Sequence, residues 1–125
     1  MTFKSSNKET GRLGEETACR FLENLGWKIL EKNFHYSRFA EIDIIAKDKD
    51  TIVFVEVKTR TTTNYGHPFE AVNHSKLLNI FKAGLAYLKT TKEPYRRYRI
   101  DIISVLGKTG SENPKIEHLK DISLN

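Results

Sequence analysis

The sequence predicts an α/β fold in which a mixed β-sheet is flanked by helices. Three observations predict it. Apolar residues recur at helical spacing in two separate stretches, near residues 9–26 and 75–88. Between them lie runs with the period of two that marks strands, the last pair separated only by the charged turn Lys47-Asp48-Lys49-Asp50. After the second helical stretch the chain returns to a strand-like run. A short turn joins antiparallel strands and a helix joins parallel ones, so one small sheet carries both kinds of pairing.

Each element has its own warrant. In the first helix Ala18, Phe21, Leu22 and Leu25 form the buried stripe, and Gly26 supplies the stop. At about 100° per residue, Glu15 lies roughly 60° from the stripe's centre and Glu16 roughly 160° away. Glu15 therefore edges toward the protein body while Glu16 faces water. Strands follow at Trp27–Phe34, Phe39–Lys47 and Thr51–Arg60. Thr61 to Pro68 is rich in turn formers, lacks periodicity and reads as a mobile loop. The second helix, Ser75–Leu88, places Leu77, Leu78, Phe81, Leu85 and Leu88 on its buried stripe. Arg99–Leu106 forms another strand and Ile116–Leu119 a last one.

Composition narrows the class. At 125 residues, 38% hydrophobic and 30% charged, the chain fits one globular domain spanning 1–125. The net charge of +5, from 21 basic and 16 acidic residues, suits either an anionic partner or a merely basic protein. Cys19 is the only cysteine, so no intrachain disulfide forms. The polar start lacks the apolar core of a signal peptide and no run approaches membrane-spanning length. The expectation is a cytoplasmic protein with no membrane partner.

The hairpin carries the chemistry. Residues two apart share a face of a strand, so Glu41 and Asp43 point one way, as do Phe54, Glu56 and Lys58 on the next strand. If Lys49-Asp50 form the tip, Asp43 falls opposite Glu56. Opposed side chains have β-carbons about 4.5–5.5 Å apart, where like charges repel. A divalent cation between them removes the repulsion, and Mg²⁺ takes one or two carboxylates together with water and phosphate oxygens. Lys58, one pleat further on, could orient or deprotonate water or steady a phosphate in the transition state. The combination suits phosphodiester hydrolysis. The alternative is a solvent-facing sheet on which Asp43, Glu56 and Lys58 simply pair, against which stands Phe54 on the same face.

Asp43 followed by Glu56-Val57-Lys58 resembles the D…(D/E)xK signature of the restriction-endonuclease-like nuclease superfamily. More closely, the chain resembles the uncharacterised YraN-like bacterial family, itself similar to archaeal Holliday-junction resolvases. The likeness extends over Gly11-x-x-Gly14-Glu15-x-x-Ala18, Asn33, Glu41-Ile42-Asp43, Phe54 to Arg60, Gly66-x-Pro68-x-Glu70-Ala71-Val72, Lys76 and Asp101. It implies a restriction-endonuclease-like sheet, a Mg²⁺ ion (Mn²⁺ as substitute) held by Asp43, Glu56 and the Val57 carbonyl, and Lys58 as catalytic lysine. Glu15 matches the additional helical acid of resolvase-like members. The implied activity is a metal-dependent endonuclease acting on DNA, branched or processed structures included. The alternative is a nucleic-acid-binding accessory protein that keeps the fold without cutting. By analogy with resolvases, a homodimer would cut two strands symmetrically. Two positions depart from the family pattern: Ala40 replaces a usual Gly, and His35 a usual Arg.

Other residues are less determined. Thr59 and Arg60 leave the carboxylate face directly and are placed to touch a sugar–phosphate backbone. Lys76 matches the family pattern, yet falls about 140° from its helix's expected stripe, so a solvated lysine and a phosphate contact both stay open. Asp101, between Ile100 and Ile102, is expected to be structural. In Lys92–Arg99, Arg96 and Arg97 alternate with tyrosines in a pattern suited to phosphate pairing and base stacking, or to a charged loop with tyrosine anchors. The four histidines show no pairing at zinc-ligand spacing.

Overall fold

The computed structural model describes residues 3–60, 72–107 and 113–123, with side chains from residue 10 onward. Thr61 to Pro68, expected to be a loop, lies outside the described residues. Helix α1 spans Phe3–Asn24, followed by β1 (Lys28–His35), β2 (Glu41–Asp48), β3 (Thr51–Arg60), α2 (His74–Thr90), β4 (Arg97–Leu106) and β5 (Lys115–Leu119). The five strands form one sheet in the order β1-β2-β3-β4-β5. Every neighbouring pair is antiparallel except β3 and β4, which the α2 crossover makes parallel. This is the expected α/β architecture, a restriction-endonuclease-like mixed sheet with a helix against each face. No described helix is long and apolar enough to cross a membrane.

Helix α1 begins well before residue 9, because its polar first turns carry no apolar stripe for periodicity to detect. It stops where expected. Gly26 takes φ +89, its N–H reaches the Glu23 carbonyl, and the Trp27 N–H reaches that of Leu22. Such closure needs the left-handed conformation glycine tolerates, and it folds Trp27 back into the same apolar cluster as Leu22. Leu25, expected on the buried stripe, is exposed because the chain has already left helical geometry there.

Strand β3 is the axis of the molecule. Each residue from Thr51 to Val57 is buried, as expected of a strand covered on both faces. On one side Val53, Val55 and Val57 meet Ala18, Cys19 and Leu22 of α1. On the other, Ile52 and Phe54 meet Leu77, Ile80 and Ala83 of α2. Gly84 is what lets α2 down: a β-carbon there would stand 2.6 Å from the Phe54 ring. The helix consequently rests on Leu77, Ile80, Ala83, Gly84 and Tyr87, while Leu85 is exposed and Leu78, Phe81 and Leu88 are half-buried. Its buried face is turned by about one residue from the stripe that large apolar side chains alone suggest. Close approach by small residues outweighs the burial of bulky ones.

Asp101 on β4 is fully buried beneath α1 and is a structural hub, as its sequence context suggests. Its carboxylate accepts from Arg99 Nε at 2.9 Å and the Asp121 N–H at 3.0 Å, and lies 2.8 Å from His118 Nε2. Trp27 packs under the Arg99 guanidinium at 5.4 Å and edge-on to His118. Burial alone would raise this carboxyl; the contacts from His118, Arg99 and Asp121 outweigh it and hold the group below the ordinary aspartate range. Its stabilisation is thus complete above the unfolded-state value of about 3.9 and is lost as pH falls through the lower folded-state one. Asp101→Asn is expected to cost about 2–4 kcal/mol in urea unfolding at pH 6, with a gap to wild type that narrows at pH 3. An equal gap at both pH values would contradict this account.

Candidate active site

The β2–β3 ladder has the expected register, with residue numbers summing to 99 from Asp48↔Thr51 to Ile44↔Val55. There it stops. One step on, where Asp43 would face Glu56, the Asp43 Oδ2 accepts the Val57 N–H at 2.8 Å. A side chain has replaced the backbone acceptor. β2 meanwhile continues along β1 through Phe34↔Ile42 and His35↔Glu41, so β2 and β3 splay apart at this end. The strict alternation assumed from sequence also breaks here. Ile42 packs in the α2-side cluster and Ile44 in the α1-side cluster, although two residues apart. On β1, Asn33 adopts φ +51, a left-handed conformation that Asn tolerates better than most residues.

Helix α1 closes one wall. Gly14 lies against Thr59, where any β-carbon would clash with the threonine hydroxyl. That contact delivers Glu15, the next residue, to the gap. Burial, the Asp43 charge and a shared hydrogen bond with Asp43 push the Glu15 carboxyl up to about 7, against a lowering contact from Asn33. Asn33 is thus a site residue whose role the sequence did not specify.

Glu56 comes from the α2 side and is only 4% exposed. Burial first, then the charge of Asp43, push it up to about 8, with Lys76 and Lys58 pulling the other way. Lys76 Nζ stands 3.7 Å from Glu56 Oε1. The expected angular distance of Lys76 from the buried stripe is therefore corrected. Turning α2 onto its Ala83–Gly84 face brings Lys76 to roughly 45° from the true stripe and to the rim of the site. Glu15, Asp43, Glu56, Val57, Lys58 and Thr59 line one cleft of about 390 Å³, completed by Thr10 and Gly11 of α1.

Not every candidate converges here. Thr59 lines the cleft, while Arg60 ends β3 beyond it, its carbonyl accepting the Gly107 N–H at 3.0 Å. Arg96 and Arg97 lie at the opposite end of the sheet, since Arg97 pairs with Thr51 rather than with Lys58. Seven residues of strand, about 23 Å, separate them from the lysine. They do not join the carboxylates, because β3 and β4 run parallel and the cleft sits at their C-terminal ends. His35 pairs with Glu41 at 3.2 Å, and Ala40 is buried in the α2-side core. Among the described residues, no three His, Cys, Asp or Glu side chains form a ready-made metal cage.

The profile described as "Uncharacterised protein family UPF0102" matches residues 14–105, from the glycine that seats α1 to the end of β4. The chain belongs to the UPF0102 family. It is 46% identical over 122 residues to a UPF0102 protein of Syntrophus aciditrophicus, covering 97% of this chain and 94% of the relative. It is 44% identical over 113 residues to one from Syntrophomonas wolfei, covering 90% and 96% respectively. A Clostridium kluyveri UPF0102 protein is 42% identical over 117 residues, covering 94% and 95%. The UPF0102 match spans Glu15, Asn33, Asp43, Glu56, Lys58 and Lys76, so all three acids of the cleft lie within it, while Thr10 and Gly11 precede it.

The crowded acids have a measurable consequence. A carboxyl whose folded-state value lies above its unfolded one binds more protons when folded, so its contribution to stability falls as pH rises between the two. For Glu56 that window runs from the ordinary glutamate range to about 8. Glu56→Gln keeps the shape and removes the charge, and half-exposed Lys76 can turn to solvent. In EDTA at pH 8 the variant is expected to melt roughly 3–8 °C above wild type, with the difference closing at pH 5. A variant less stable than wild type at pH 8 would show that Glu56 is held by attraction rather than strained by repulsion.

Proposed function

We propose that this UPF0102 protein is a Mg²⁺-dependent nuclease that hydrolyses DNA phosphodiester bonds. One observation carries the reading: Glu15, Asp43 and Glu56 crowd a single cleft, two of them pushed up to about 7 and 8, with Lys58 on its wall. Natural proteins retain such unfavourable clusters chiefly where function needs them. The donor set fits the ion. Mg²⁺ prefers hard oxygen ligands and takes one or two protein carboxylates, so it needs no three-carboxylate cage. Asp43, Glu56 and the Val57 carbonyl would hold it. When bound, it supplies a polarised phosphate and a more acidic water.

The chain's own groups do the rest. Asp43 is held by the Val57 N–H, so its second oxygen is directed rather than freely rotating. Lys58 brings an ammonium to the cleft that orients the attacking water or steadies charge growing on the phosphate. Glu15, near neutrality in its proton affinity, accepts or returns a proton at its carboxylate. Lys76 and Thr59 at the rim offer donors to the neighbouring phosphates.

The accessory reading has one observation of its own: Lys76 already stands 3.7 Å from Glu56 and supplies positive charge there without any metal. A single experiment separates the two. Purified protein is incubated with Mg²⁺ or Mn²⁺ and linear, nicked and four-way DNA, beside Mn²⁺ calorimetry. The nuclease reading expects cutting that falls by about 100-fold or more in Asp43→Ala and in Lys58→Ala. It also expects a Mn²⁺ heat that disappears in Glu56→Ala. No cutting on any substrate, with salt-sensitive DNA binding and no metal uptake, decides for the accessory protein.

A further inference from the structure

A cavity larger than the carboxylate cleft lies away from it, between edge strand β1 and the outer side of α2. It measures about 610 Å³ and is lined by Phe34, Tyr36, Lys82, Leu85 and Lys89 among others. Its floor is apolar, Phe34 being fixed edge-on against Tyr87 at 5.4 Å. Its rim is basic, with Lys82 and Lys89 exposed and no carboxylate among the described lining residues. Glu41, the acid nearest along the strand pair, is engaged by His35.

The turn that caps this groove carries the least sheltered aromatics in the described chain. Phe39 is 76% exposed and Tyr36 59%. The turn that presents them is ordered, the Tyr36 N–H donating to the Ala40 carbonyl at 2.9 Å. The Arg38 guanidinium stands 5.7 Å from the Phe39 ring centroid. Flat rings open to water, one beside an arginine and the other lining the lysine-rimmed groove, combine a stacking surface with phosphate donors.

From these observations we infer that the groove between β1 and α2, together with the Tyr36–Phe39 turn, binds an unpaired DNA strand. Its bases stack on Phe39 and Tyr36 and its phosphates lie against Arg38, Lys82 and Lys89. The choice of an unpaired strand follows from the lining: a duplex hides its base faces, whereas apolar walls and open rings reward only bases whose π-faces are free. Position agrees. The His35↔Glu41 pair that starts the turn is two residues from Asp43, about 7 Å along β2, so the aromatic turn adjoins the Asp43 end of that strand, although α1 walls the cleft and α2 the groove. The choice of DNA rests on the nuclease reading; the stacking surface does not.

Fluorescence anisotropy in EDTA tests this with the full chain, a labelled oligothymidine of roughly 20 nucleotides and a duplex of like length. Wild type is expected to prefer the single strand. Tyr36→Ala with Phe39→Ala is expected to weaken strand binding by about tenfold or more, leaving duplex affinity unchanged, with recovery in Tyr36→Phe with Phe39→Tyr. Lys82→Gln with Lys89→Gln is expected to lower the salt slope by about 1.4. All four side chains project from the surface, and thermal melts confirm that the variants fold. Wild-type strand affinity in either alanine or glutamine pair would overturn the inference, as would an equal loss on duplex. So would sedimentation showing a self-associating wild type and monomeric aromatic variants, which would make this face an interface between copies. Because EDTA prevents cutting, strand binding without nuclease activity, or the reverse, is read as a separate result.

Discussion

At Val57 the β3 backbone N–H donates to the Asp43 carboxylate, where an uninterrupted sheet would offer a carbonyl of the neighbouring strand. An unsatisfied buried N–H costs about 1–3 kcal/mol, so β2 can leave β3 at this point only because a side chain takes over the bond. The departure has consequences in both directions. It opens a cleft beside Glu56 and the end of β3, and it frees β2 to carry Glu41 and the aromatic turn along with β1. It also fixes one carboxylate oxygen of Asp43. The opening in the sheet and the acid that lines it are therefore one feature.

Two glycines determine what closes over that opening. Gly14 sets α1 on Thr59 and Gly84 sets α2 on Phe54, so both helices touch β3 at their narrowest points. Glu15 follows the first glycine directly, and Lys76 lies two turns before the second. Each helix thus brings one ionisable side chain to the cleft by virtue of how closely it packs, not by virtue of its own charge pattern. Enlarging either glycine would lift a helix and withdraw a site residue together.

Much of this was legible in the sequence because period-two patterns and a four-residue charged turn constrain a hairpin tightly. The register that puts Asp43 level with Glu56 holds through Ile44↔Val55, and the last short strand exists where Ile116–Leu119 suggested it. What could not be read was the break itself, since a side chain substituting for a backbone acceptor leaves no periodic trace. The rotation of α2 was hidden for a related reason. A helical wheel weighted by bulk favours Leu78, Leu85 and Leu88, while the real contact is made by Ala83 and Gly84, whose value lies in what they lack. Lys76 was misplaced by the same error. Arg96 and Arg97 were attractive by composition, yet only the parallel pairing of β3 with β4 shows that they sit at the other end.

The buried and half-buried acids divide the sheet by how well each is supplied with donors. Asp101 is wholly buried yet meets Arg99, His118 and a backbone N–H, and its proton affinity falls. Glu56 is nearly as buried, but faces Asp43 and has only partial relief from Lys76 and Lys58, and its proton affinity rises. Burial penalises both alike, so the difference lies in the partners. An acid with three donors gives the fold rigidity and has no capacity left for a ligand. Acids that share too few donors keep unused lone pairs directed at a cleft, at a cost in stability that any bound cation would reduce. The same sheet can hold both because the Asp43–Val57 bond confines the shortage of donors to the splayed end, and the Trp27–Arg99–His118 packing around Asp101 holds together on the α1 face beside it.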